Sequence, residues 1–300
     1  MAEPTRMNIS AGLASVSVAI VLVALKLWAL GETNALSVAA SLADSAMDLM
    51  VSLGGLTAIA YAARPADDDH TWGHTSAEDL AALGQSLFIL VSAGVIGWAA
   101  VARLLDDAPV GLAHEGRGIL VMAVSIALTA ALVLWQRHVA KTTGSRVVAA
   151  DSLHYLGDLI PNLGAILSLW ASAAFDFGKI DSVVALGAAL MLAVGAVRIF
   201  KGAWDALMDR AAPDETVEEV ARIVGGWPGV DGYHDLKTRM AGSKTFITVH
   251  IEQDGTKTLN ETHAVAAALK RALLEAIRGS DVLIHQDPSG EKRHGGGSRR

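Results

Sequence analysis

The chain contains no cysteine, which excludes disulfides and thiolate metal sites, so any metal it binds must be held by nitrogen and oxygen. Charge is scarce as well. Only 18% of the 300 residues are Asp, Glu, Lys or Arg, against 52% hydrophobic residues and a mean hydropathy of +0.40. A soluble enzyme of this length carries more charge, so the balance describes a polytopic membrane protein with a water-soluble part. The net charge of -7 leaves no basic patch for nucleic acid. Also missing are His-Glu-x-x-His, Gly-x-Ser-x-Gly and a phosphate-cradling glycine loop, which argues against a membrane-bound hydrolase or any other enzyme. Aromatic residues make up only 5%, yet Trp28, Trp135, Trp170 and Trp204 fall near the ends of apolar runs, where an amphipathic ring suits the headgroup layer.

What the chain has in quantity is long apolar runs. They lie at about Ile9 to Leu30, Leu36 to Ala63, Leu80 to Leu105, Gly118 to Trp135, Val147 to Ala174 and Ser182 to Leu207. The first follows a short leader, Met1 to Arg6, and is long enough to be a membrane helix rather than a cleaved signal peptide. Six spans place both termini on one side. The loops on that side carry Arg6, Arg64, Arg137, Lys141, Arg146 and Arg210, and this bias predicts that both termini are cytoplasmic.

Two of these runs carry acids that the bilayer does not tolerate alone. Asp44 and Asp48 are four residues apart in the second span, which puts them on one helix face about one turn apart. His154 and Asp158 repeat that spacing in the fifth span. An acid near a helix centre costs roughly 2.5 to 3.5 kcal/mol on insertion scales and needs a partner. Three carboxylates and one imidazole on two helix faces form a four-ligand set for a divalent cation, and metal and protons must compete for it. One imidazole with three carboxylates suits zinc, and the carboxylate-rich balance admits cadmium, ferrous iron, cobalt or manganese.

Between the second and third spans, Asp67, Asp68, Asp69, His70, His74, Glu78 and Asp79 crowd one loop. They could close on a metal or form a solvated acidic loop, and the spacing does not choose between these. Beyond Asp209 and Arg210 the composition becomes that of a soluble domain. A helix from Asp214, strands at Gly232 to Arg239 and Lys244 to Glu252, a helix over Asn260 to Arg278 and a strand over Asp281 to Asp287 predict an α-β-β-α-β order, a small sheet with both helices on one face. His234, His250, His263, His285 and Asp287 are concentrated there, and in a strand His285 and Asp287 share a face. The tail after Pro288, rich in glycine and charge, predicts disorder.

These motifs carry a resemblance. Ser41-Leu-Ala-Asp44-Ser-x-x-Asp48, Pro65-Ala-Asp67-Asp68-x-His70-x-x-Gly73-His74, Ala150-Asp151-Ser-Leu-His154-Tyr-x-x-Asp158, Leu207-Met-Asp209-Arg210 and Ile284-His285-Gln286-Asp287-Pro288, in this order, make the chain similar to the cation diffusion facilitators, above all their bacterial zinc and ferrous-iron efflux branch. The resemblance implies a six-helix transmembrane transport domain over residues 1–210, a cytoplasmic metal-binding dimerisation domain of metallochaperone-like, ferredoxin-like α+β type over 211–288 and a disordered tail over 289–300. It implies a proton-coupled divalent metal exporter of the bacterial inner membrane acting as a homodimer. The rival readings are an iron or manganese exporter of the same fold and, behind it, a metal sensor or scaffold that moves no ions. Residue by residue, Asp44, Asp48, His154 and Asp158 resemble the transport site, and Asp67, His70 and His74 the loop site. His234, His250, His263, His285 and Asp287 resemble a binuclear cytoplasmic site to which Gln286 could add. Relatives often carry a lysine two residues after the second loop histidine, paired with the junction aspartate. Here that position is Ser76 while Asp209 remains, so either another contact holds the membrane halves of the dimer at that level or they are looser.

Overall fold

The structure is a computed structural model. It describes the backbone of residues 3–33, 36–105, 116–175 and 180–290. The side chains of 29–30, 32–33, 36–41, 43–44, 103, 116–122, 161–175, 180–181 and 184 lie outside the description, as do residues 291–300, where most of the expected disordered tail falls. The chain divides into two compact units, residues 1–204 and 205–300.

The first unit is built from long helices: α1 (Glu3–Thr33), α2 (Leu36–Ala62), α3 (Ser76–Leu105), α4 (Gly116–Thr143), α5 (Arg146–Phe175) and α6 (Ile180–Leu207), the last ending just beyond the unit boundary. Among the described residues, five of them contain windows long and apolar enough to cross a bilayer. The helices outrun the apolar spans because the backbone ladder continues through polar turns that hydropathy does not register. Thus α1 begins at Glu3, with Pro4 in its first turn where the missing N–H costs nothing, and α3 begins at Ser76.

Small residues bring the helices close. A Cβ on Gly12 would meet Leu56 Cδ1 at 2.9 Å, and one on Gly195 would meet Leu153 Cδ2 at 2.8 Å, so α1 seats on α2 and α6 on α5 at glycine contacts. Polar side chains tie the same bundle internally. Asn8 and Ser145 both donate to the Glu78 carboxylate, at 3.4 and 2.9 Å, and Arg146 Nη1 donates to Asp79 Oδ1 at 2.6 Å. These contacts use up the acids at the start of α3.

The second unit is a three-stranded sheet with two helices. β1 (Gly232–Ala241) pairs antiparallel with β2 (Lys244–Gln253), which pairs parallel with β3 (Ser280–Pro288), in the order β1-β2-β3. The β1-β2 turn is Gly242-Ser243, with Gly242 at φ +56, a conformation glycine takes without a Cβ clash. α7 (Asp214–Gly225) and α8 (Leu259–Ala276) cover one face. Val220, Val224, Leu269 and Leu273 meet Ile247, Val249, Ile251 and Val282 in a closed core. The strand period of two then fixes the other face: with Val249 and Ile251 inward, His250 and Glu252 point away from the helices.

The expected α-β-β-α-β order is the observed one. α8 opens on a capping contact in which Thr258 donates from its N–H and hydroxyl to Glu261 Oε2, at 2.8 and 2.7 Å. Replacing Thr258 with alanine is expected to lower the stability of this unit by about 1 kcal/mol, read as a shifted denaturation midpoint with unchanged slope. An unshifted midpoint would show that the cap contributes nothing.

Candidate metal centres

In the helical unit, α2 supplies Asp48 and α5 supplies His154 and Asp158, because the 3.6-residue period puts the α5 pair on the face turned to α2. One ligand atom from each of the three lies within 4.8 Å of the others. His154 Nε2 stands 3.1 Å from Asp48 Oδ1, and the side chains are 10% and 15% exposed, shielded but reachable. They line a cavity of about 340 Å³ together with Phe88, Ser92 and Gly157. Phe88 meets the His154 ring edge-on at 5.7 Å and restricts its rotation. Asp44 lies on α2, one turn before Asp48, but its side chain falls outside the described residues. A carboxylate-imidazole-carboxylate set of this spacing can strip water from a divalent cation and release it again, since no ligand is a thiolate.

The loop residues also converge. Asp67 accepts a 2.7 Å hydrogen bond from the His70 backbone N–H, which turns the chain so that His70 Nδ1 and His74 Nε2 each lie 3.2 Å from a different oxygen of the Asp67 carboxylate. Gly73 at φ +89 makes the reversal that brings His74 back, and Tyr61 stands edge-on to the His74 ring at 4.6 Å. His74 is buried and His70 exposed. Asp68 and Asp69 stay outside the cluster, exposed to solvent. The His70 backbone hydrogen bond, aided by the two imidazoles, holds the Asp67 carboxyl below the usual carboxylate range. A depressed folded value means that this turn contributes at ordinary pH and is lost only as pH falls through the lowered value. In metal-free protein the His70 amide is expected to exchange more slowly than in Asp67→Ala down to about pH 4. Equal rates between pH 7 and 5 would contradict it.

On the open face of the sheet, register does what sequence spacing could not. His234, His250 and His285 are direct neighbours across β1, β2 and β3, with ring centroids 5.1 and 4.4 Å apart. Asp287 joins them: its Oδ2 lies 3.0 Å from His250 Nδ1 and 3.3 Å from His234 Nε2, and its Oδ1 lies 3.1 Å from His285 Nε2. Partial burial works against the charge on Asp287, but the His250 hydrogen bond and the surrounding imidazoles outweigh it and hold its carboxyl low. Gln286 alternates to the helix-covered face beside Ile251 and adds no ligand to the row. His263 sits exposed on α8, outside the clusters formed among the described residues.

Glu252, unremarked in the sequence reading, approaches His234 Nε2 at 3.9 Å. The signal was available, since Glu252 follows His250 by two residues in a strand. Asp209, expected to lack its lysine partner, instead accepts from Arg239 Nη1 at 3.1 Å within the C-terminal unit, while Ser76 merely starts α3.

Comparison with known proteins agrees with this division. Residues 12–208 match the cation efflux transmembrane domain family, and residues 212–289 match the cytoplasmic domain of cation efflux proteins. The cation-efflux pump FieF of Citrobacter koseri is 40% identical over 278 residues, covering 93% of this chain and 92% of that protein, and the FieF of Klebsiella pneumoniae is 39% identical over 279. Among solved structures, the Zn form of CzrB aligns with 33% identity over 29% of this chain and 99% of its own, with a TM-score of 0.26. The metal-bound C-terminal domain of the CzcD transporter from Thermotoga maritima aligns with 25% identity over 26% and 93%, also at 0.26. Two family domains spanning nearly the whole length, on a chain with at least five membrane-length helices, describe a multi-pass membrane protein of cation efflux, and the chain belongs to the cation diffusion facilitator family.

Proposed function

We propose that the protein exports divalent metal cations, zinc foremost, across the bacterial inner membrane in exchange for protons, by alternating access of the set formed by Asp44, Asp48, His154 and Asp158. The observation that carries this reading is the convergence of Asp48, His154 and Asp158 on a roomy cavity inside the helical bundle. Ligands must shed protons to bind a cation, so cation and protons exclude each other at these side chains. A bundle that opens this cavity to one side and then the other exchanges one for the other, with inward proton flow expelling metal. The imidazole favours zinc, while the carboxylates accept ferrous iron, manganese, cobalt and cadmium.

The transport domain is assigned to residues 1–210, with both termini cytoplasmic, and residues 211–288 to a domain that binds metal and pairs two copies into a homodimer. The paired copies are supported by the family of that domain. The row of His234, His250 and His285 over Asp287 has imidazole and carboxylate donors at ligand spacing, which suits zinc. Metal held there, and at Asp67, His70 and His74, would couple cytoplasmic metal load to transport. His263 joins this site only if supplied from outside the described arrangement.

Metal uptake into proteoliposomes under an imposed pH gradient, with zinc, cadmium, ferrous iron and manganese compared, tests the reading. Zinc flux that collapses with the gradient supports exchange. Stoichiometric binding without flux of any metal would favour a sensor or scaffold.

A further inference from the structure

The helical bundle buries an acid that the metal set does not use. Asp151 lies on α5 three residues before His154 and is 6% exposed. Its Oδ2 accepts a hydrogen bond from the side-chain amide of Gln136 on α4. Ser15 on α1 donates to Ser52 at 2.8 Å, and Ser52 shares a 2.8 Å hydrogen bond with the Tyr155 hydroxyl. All of these side chains are buried.

The titratable groups that face Asp151 are Asp48 on α2 and His154 and Tyr155 on its own helix, whereas α1 and α4 present the uncharged Ser15 and Gln136. No ion pair among the described residues includes Asp151. An ionised carboxylate at this depth without a paired cation is costly.

Two atoms remain unanswered: Asp151 Oδ1 and Gln136 Oε1 are buried without a hydrogen-bond partner. Both residues line one small cavity of about 10 Å³, kept open beside Gly12 and Gly55. That is room for one water, which needs two or more polar partners to stay.

We propose that Asp151 carries a proton on Oδ1 and, with Gln136, holds one water in this cavity, a proton-binding site of the membrane domain separate from the metal set. The arrangement closes a ring: Asp151 Oδ1–H donates to the water, the water donates to Gln136 Oε1, and the Gln136 amide N–H donates to Asp151 Oδ2. Asp151 Oδ1 and Gln136 Oε1 are then both satisfied. The bearing of this proton on transport rests on the exchange proposed above, but its presence does not.

Infrared spectroscopy of the full-length protein in lipid at neutral pH tests this, with wild type, Asp151→Asn and Gln136→Leu compared in H2O and D2O. Asp151→Asn is expected to remove one protonated-carboxyl C=O component. In wild type that component should shift in D2O, and in Gln136→Leu it should be displaced. An unchanged carboxylic-acid region in Asp151→Asn means that the residue is ionised and overturns the proposal, and no shift in D2O overturns the water. Should Asp151→Asn fail to fold, Gln136→Leu decides alone, since an undisplaced component contradicts the ring. Zinc flux measured in parallel separates the two readings: proton-independent flux with the component present sinks the exchange and leaves this site standing.

Discussion

Alanine at Asp48 is expected to abolish zinc flux, lowering it at least about 100-fold, because loss of a group that merely orients a ligand already costs 10- to 100-fold in metal affinity. Asp48 is the α2 residue shown to reach the α5 pair, and its removal leaves His154 without the carboxylate 3.1 Å away. The measurement is uptake into proteoliposomes at fixed pH gradient, with circular dichroism to confirm that the helices persist. His154→Ala should fall as far. Flux within about 10-fold of wild type, the mildest loss a mere orienting group would give, would remove Asp48 from the transport site. Asp44→Ala is the informative companion: an equal loss would bring it into the site, and a small one would leave the cation to three side chains.

Alanine at Asp287 should weaken metal binding by the C-terminal domain by about 100-fold or more, since one carboxylate serves three imidazoles. Metal that binds only the folded form stabilises it by about 2.7 kcal/mol when present at 100 times its dissociation constant. The rise in melting temperature of the full chain on adding zinc should therefore be smaller in Asp287→Ala at a zinc level that saturates wild type, and chelation should abolish the rise in both. An undiminished zinc response in the variant would place the metal elsewhere. The pH dependence has a defined sign. Because the folded carboxyl is held low, its stabilising contribution is present above the ordinary carboxylate range and lost only as pH falls through the lowered value, so protons compete for Asp287 only in acid.

Sequence alone determined whatever the backbone period fixes locally. Apolar runs of membrane length specify helices whatever surrounds them, since hydrocarbon leaves the backbone no other partner. Four-residue spacing then put Asp44 with Asp48 and His154 with Asp158 on single faces, and alternation put His285 and Asp287 on one face of their strand.

The tertiary structure decided everything that joins distant segments. Asp48 and His154 are 106 residues apart, and only the packing of α2 against α5 makes them neighbours. The β1-β2-β3 register aligned His234, His250 and His285 and left His263 on an outer helix. Arg239 supplied the partner for Asp209 that Ser76 could not be. In the sequence Asp151 is one residue of a motif, and only the packing of α4 on α5 sets Gln136 and a water-sized cavity beside it. The physical reason is that helix and strand periods are set by bonds a few residues long, whereas a site between elements depends on which faces bury each other, a choice made by side-chain packing over the whole bundle or sheet.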